Sequence, residues 1–403
     1  MNTARPDHTA QDPAADTTPT ASPDAVDAAF AAVDRRADRL LSISHAIFDR
    51  PELAFDEHHA HDLLCDALES AGLSVTRHAH GLDTAFVAEA GSEGPTVAVI
   101  CEYDALPGVG HACGHNVIAA AGLGAGLAAA ELADQLGGRV RVLGTPAEEG
   151  GGGKVFMLRD GAFDGVDAAV MVHPADHDLP TMSAIAIQRL NVTYTGRASH
   201  AAAAPWNGVN ALDAAVLGYV NVAALRQHIR PDERIHGIFT EAGEQANVVP
   251  RRAAASWYVR SPSVEGLAEL KERVLACLAA GASAAGCRMD HEWLEPAYDD
   301  LVDDRRLLDS WVRHSTAVGR PPQDPDTVGP VVGSTDMGNV SHVVPSIHPM
   351  IAVAPPGVAI HTAEFATHAR GAGGDAAVLD GAKALAGVVL DRWAAGSPAG
   401  SRR

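Results

Sequence analysis

In the first half of the chain, short β-rich runs alternate with helical stretches, and that alternation restricts the possible folds more than any other feature. The runs occupy 84–89, 96–101, 139–145 and 168–173. Helical periodicity marks 28–49 and 57–71, and 117–136 is an Ala-rich helix with small residues on every face. Strands separated by helices imply a mostly parallel sheet covered on both sides. Such sheets collect their ligands beyond the carboxyl ends of the strands.

The pattern changes near residue 185. The run IAIQRLNVTYT alternates like a half-exposed antiparallel strand, and a helix over 209–228 follows it. Strands at 235–240 and 253–260, a helix at 264–285 and a strand near 287–293 complete a βαββαβ unit. Beyond Pro296 come helix, an apolar strand at 350–354 and a final helix at 376–394. With 403 residues, two domains are expected. The economical division is a disordered tail at 1–27, a catalytic domain from 28–186 and 297–403, and an inserted α+β domain at 187–296.

Chemically loaded side chains follow the strands. Glu102, Asp104, Cys113 and His115 come after the second run, in CEYDALPGVGHACGHN. Glu148 and Glu149 follow the third, His173 ends the fourth, and His361 follows the apolar strand at 350–354. Each alone has a plain structural reading. Together they bring imidazole, thiolate and carboxylate to one sheet edge, a donor set suited to zinc or manganese. Cys113, His115, Glu149, His173 and His361 exceed one tetrahedral site but fit two ions. Two ions about 3.5–4 Å apart can share a hydroxide and stabilise an oxyanion. Glu148 is then free to act as general acid–base, with Asp104 orienting an imidazole ligand.

Two other readings remain open. Cys113 with His115 could form a thiol hydrolase, although the adjacent carboxylates and the strand-end histidines would then go unused. A non-catalytic metal- or ligand-binding relative would have no need of Glu148.

HACGHN, PAEEGGGGK, MVHP, TGRASHAAAAPWNGVNAL, NVVP and VGSTDMGNVS, in this order, resemble the aminoacylase/carboxypeptidase-G/ArgE–DapE metallopeptidase family, peptidase family M-20. The resemblance spans 28–395. Cys-Gly-His in place of an Asp-centred motif looks like the amidohydrolase branch, closest to the aminobenzoyl-glutamate hydrolases and the β-alanyl-lysine-type dipeptidases. It implies a phosphorylase/hydrolase-like catalytic domain with an inserted dimerisation or lid domain. It also implies two divalent ions per subunit, Zn or Mn, and cleavage of an N-acyl amino acid or dipeptide amide. Cys113, His115, Glu149, His173 and His361 match the ligands, and Glu148 matches the base. His200 matches a histidine that reaches the active site of a partner subunit in a homodimer. Asn247 and Arg260 match residues that hold the substrate carbonyl and carboxylate, and Gly333 and Ser334 fall in a substrate-lining turn. Asn116 departs from the aspartate or histidine common there, and His111 and Glu102 have no assigned role.

A net charge of −21 repels phosphate backbones, which argues against nucleic-acid and anionic-membrane partners. The first 27 residues contain no apolar signal core, and the five cysteines form no disulfide framework, so a cytoplasmic setting is expected.

Overall fold

The computed structural model describes residues 19–328 and 332–396. Most of the tail expected at 1–27 therefore lies outside the described residues, but its last part does not behave as a tail. A helix runs from Pro23 to Asp34, because Ser22 accepts the Ala25 N–H at its start and Pro23 occupies a position where a missing N–H costs nothing. A second helix, Ala37–Asp49, follows where one continuous helix was expected.

In chain order the strands are β1 (Ser74–Arg77), β2 (Phe86–Ala90), β3 (Thr96–Glu102), β4 (Arg139–Thr145), β5 (Ala168–Val170), β6 (His173–Ala175) and β7 (Ser183–Ala184). They continue as β8 (Ala186–Thr195), β9 (Arg234–Glu241), β10 (Arg252–Ser261), β11 (Arg288–Tyr298), β12 (Val332–Gly333), β13 (Ser346–Ile347) and β14 (Met350–Ala352). The large sheet has the order β1-β2-β4-β3-β5-β13. The β4-β3-β5-β13 pairs are parallel, and β1 and β2 add an antiparallel edge. The mostly parallel α/β architecture expected from the alternation is present. The edge strand β1 was not anticipated.

Strand β3 lies between β4 and β5 with every residue buried. Successive side chains serve opposite faces. Val97, Val99 and Cys101 enter one core, with the helices Pro23–Asp34, Ala37–Asp49 and Ala372–Ala394. Ala98 and Ile100 enter the core on the other side, with Met157, Met337 and Val340. The helix His115–Leu136 presses directly on this sheet. A Cβ at Gly122 would come 2.6 Å from the Ile100 carbonyl oxygen, and one at Gly126 would come 2.3 Å from Val142. Those approaches explain its small residues. By length and composition the helix could cross a membrane, but 83% of its apolar window is buried within the protein.

The second sheet has the order β11-β8-β10-β9, all antiparallel. The helices Ala211–Leu225 and Val264–Ala285 cover one face, around Leu190, Tyr194, Trp257, Val274 and Leu278. β9 is an edge strand, and its Ile238 is 68% exposed. Two short parallel pairs, β7 with β12 and β6 with β14, join late and early parts of the chain.

Candidate metal centre

Gly114 takes a left-handed φ of +78° and caps the helix that begins at His115. A Cβ there would lie 2.8 Å from Pro174, so the turn requires glycine. It swings Cys113 and His115 toward the same space.

Cys113, His115 and His173 offer ligand atoms within 4.8 Å of one another, as do Cys113, Glu149 and His361. The Cys113 Sγ lies 3.3 Å from His173 Nε2, and His361 Nε2 lies 3.4 Å from Glu149 Oε1. His173 Nδ1 donates to the Pro174 carbonyl at 2.7 Å, leaving Nε2 for the site. His115 Nδ1 donates to Asp104 at 3.0 Å and turns Nε2 toward Glu102, Glu148 and Glu149, at 3.8, 3.9 and 3.9 Å. His115 Nε2 and Glu149 Oε1 are buried and have no hydrogen-bond partner. Orphaned buried acceptors are costly unless something absent completes them. Glu102, His115 and Glu148 form a third such group, and the first two triads share Cys113; these overlapping sets of N, S and O donors plus the orphans fit divalent ions.

Burial opposes the charged form of every titratable group in the site. Burial, with Glu102 and Glu149 nearby, holds the Glu148 carboxyl well above the usual range. Burial acts the same way on Glu149, but the His361 imidazole beside it and His115 bring it below that range. Burial pushes the Cys113 thiol up, the reverse of what reactive cysteines show. Lys154, fully buried, pairs with Glu102 and with Asp336 Oδ1 at 2.6 Å, while Asp336 Oδ2 accepts the Lys154 N–H at 2.9 Å. Burial works against that ammonium, but Asp336 and Glu102 overcome it and raise its pKa.

Three buried side chains hold the turn that carries Glu148. Asp104 Oδ2 accepts the Glu149 N–H at 2.9 Å, and the Tyr298 hydroxyl donates to the Glu148 carbonyl at 2.6 Å. Glu57 Oε1 accepts the Ala147 N–H at 2.9 Å. Ala147 has a φ of +61° and His361 one of +66°, conformations that cost a non-glycine residue about 1–2 kcal/mol each.

The remaining expected residues divide into two groups. Arg260 and Ser334 meet at 3.3 Å and line a cavity of about 160 Å³ together with Glu148, Glu149, Arg189 and Tyr258. Gly333 lies in β12 beside Ala184. His200 and Asn247 do not join them. The His200 ring accepts the Ala202 and Ala203 N–H groups, and the Asn247 carbonyl accepts the Ala201 N–H. Both stay with the second sheet, on an exposed loop. A larger cavity, about 680 Å³, lies by Asp304, Arg313 and Arg392 and contains none of the candidate ligands. Sequence reasoning missed Glu57, Tyr298 and the Lys154–Asp336 pair. Only the turn-proximal position of Lys154, in EEGGGGK, hinted at any of them.

The chain is similar to known proteins. The model of peptidase family M20/M25/M40 matches residues 98–391. The Xaa-Arg dipeptidase of Mus musculus is 40% identical over 376 residues, covering 89% of this chain and 86% of that protein. One of the subunits of the p-aminobenzoyl-glutamate hydrolase of Escherichia coli strain K12 is 35% identical over 285 residues, 64% of this chain and 59% of that one. Among solved structures, a dinuclear metal binding peptidase of the M20 family from Bacillus subtilis superposes with a TM-score of 0.68 at 20% identity, covering 89% and 99% of the two chains. The chain belongs to peptidase family M20/M25/M40, and it is a hydrolase of amide bonds.

Proposed function

We propose that this hydrolase cleaves a dipeptide, or an N-acyl amino acid of similar size, with two divalent ions held by Cys113, His115, Glu149, His173 and His361. The observation that carries the reading is the pair of donor triads beside orphaned His115 Nε2 and Glu149 Oε1. Zinc and manganese both suit this mixed donor set. When bound, the ions supply Lewis acidity for the scissile carbonyl.

The chain's own residues do the rest. Glu148 takes a proton from the attacking water and returns it to the leaving amine, a role that suits a carboxyl held above its ordinary range. Asp104 fixes the tautomer of His115 and, through its other oxygen, the Glu149 backbone. Arg260, beside Ser334 in the cavity, receives a substrate carboxylate with its guanidinium fork. Dipeptides are favoured by the likeness to the Xaa-Arg dipeptidase; aminobenzoyl-glutamate is the competing substrate.

His200 and Asn247 lie on the second sheet unit, and we assign them to a neighbouring subunit's site in a homodimer. The inserted segment is the dimerisation and lid element in this reading. Exposed Ile238, Phe239, Leu217 and Val220 support it, because an apolar strand edge and helix face call for a partner. A cytoplasmic location completes the proposal.

Glu148→Gln tests it. The variant keeps its metal and loses about 10²–10⁴-fold in kcat; full activity on a panel of dipeptides, N-acyl amino acids and aminobenzoyl-glutamate refutes the assignment. The 3.3 Å approach of Cys113 to His173 is the one observation favouring a thiol mechanism. Alkylation that abolishes turnover of metal-loaded protein without displacing metal would establish that alternative.

A further inference from the structure

Glu57 is fully buried, yet it belongs to none of the donor groups. It stands immediately before the helix His58–Ser70, far in sequence from the Glu148–Glu149 turn. Its Oε1 accepts the Ala147 N–H at 2.9 Å, and its Oε2 accepts the Thr84 hydroxyl at 2.8 Å. Thr84 is fixed in turn, because the buried Tyr103 hydroxyl donates to its carbonyl. Ala147 is itself fully buried, and its N–H has Glu57 as its acceptor. A buried N–H stripped of its acceptor drives the backbone to rearrange. Here that backbone holds a left-handed residue directly before Glu148.

We infer that Glu57 is a positioning residue for the Glu148–Glu149 pair, acting through the Ala147 peptide and held by Thr84 and Tyr103. Asp104 on the Glu149 N–H and Tyr298 on the Glu148 carbonyl hold the two ends of one peptide group, that between Glu148 and Glu149. Glu57 holds the peptide group before Ala147, through the Ala147 N–H. Without it the turn can relax at Ala147, and both carboxylates lose their aim. Groups that orient metal ligands from behind typically contribute 10–100-fold to affinity or activity.

The inference rests on the metal reading above, and the test separates the two. Full-length protein is stripped of metal and titrated with Co²⁺, following the thiolate charge-transfer band of Cys113 and the stoichiometry; thermal melts and steady-state kinetics are run in parallel. Glu57→Ala is expected to weaken Co²⁺ binding, and to lower kcat, by about 10-fold or more, with KM nearly unchanged. Glu57→Gln keeps an amide oxygen for the Ala147 N–H and should recover to within about threefold, since burial and Asp104 already push the Glu57 carboxyl up to about 7 and a neutral group is tolerated there. If Glu57→Ala does not fold, Thr84→Val serves instead, releasing one carboxylate oxygen, with a smaller loss in the same two readouts. A role confined to fold stability would lower the melting temperature of either variant and leave Co²⁺ affinity intact, and that result overturns the inference. Equal impairment of Glu57→Ala and Glu57→Gln also overturns it. Wild-type protein that takes up no Co²⁺ overturns the metal reading itself.

Discussion

Replacing Lys154 with methionine perturbs a fully buried charge. The lysine, Glu102 and Asp336 have no exposed side-chain surface, and one ammonium faces two carboxylates. Methionine fills similar volume but leaves the carboxylates uncompensated, with Asp336 retaining only the Lys154 backbone N–H. Breaking a buried ion pair from one side costs about 3–5 kcal/mol, because the surviving charge stays out of water. For a unit of this size each kcal/mol moves the melting midpoint by roughly 2–4 °C, so the metal-free variant should melt about 6–20 °C lower. Urea unfolding of metal-free protein gives the free energy directly. Adding Glu102→Gln to Lys154→Met removes one of the stranded charges and should restore about 1–3 kcal/mol, a coupling visible in the double-mutant cycle. A loss below about 1 kcal/mol in Lys154→Met, or a double variant whose losses simply add, would refute the reasoning that these groups exist as one charged unit.

Asp391 receives hydrogen bonds from His314 at 2.7 Å and Ser310 at 2.6 Å; burial alone would raise its carboxyl, but these partners bring it down to about 2. A depressed carboxylate stabilises fully above its unfolded pKa near 3.8 and stops doing so as pH falls toward 2, so about 2.5 kcal/mol should vanish across that window in wild type and be missing throughout in Asp391→Asn, read by acid unfolding. Gly138→Ala would push a Cβ to within 2.0 Å of the Trp393 ring and should cost about 1–3 kcal/mol by denaturant midpoint. Ile238→Asp with Phe239→Asp, on the exposed edge strand, should convert a dimer to monomers in sedimentation velocity without lowering the melting point. Chelation should abolish hydrolysis, and Mn²⁺ or Zn²⁺ should restore it.

The candidate donors were legible because they stand at or after strand ends, which are easy to locate for an apolar run such as β3 and for the β-rich β4 with its arginines at alternate positions. Edge strand β1, with its alternating exposed positions, gave no such run. The Cys113–His115 geometry depends on one glycine torsion, which composition does not specify. Glu57 was invisible for a different reason. Its partner lies ninety positions along the chain, and a carboxylate before a helix is ordinarily read as a helix start. Tyr298 was missed likewise, since nothing local to β11 shows that its last residue reaches Glu148.

The order in which the donors occur along the chain has a consequence for synthesis. Cys113 and His115 leave the ribosome early, Glu149 and His173 follow, and the whole second sheet, β8 to β11, must emerge before His361. His173 opens β6, which pairs with the late strand β14, and the His361 N–H is held by the Ala112 carbonyl. A nascent chain shorter than this has the thiol and imidazoles of an incomplete site, with no closing histidine and no paired β6. With the proposed ligand set, full metal loading is therefore a late event, coupled to closure of the first-made half of the protein by its last-made segment.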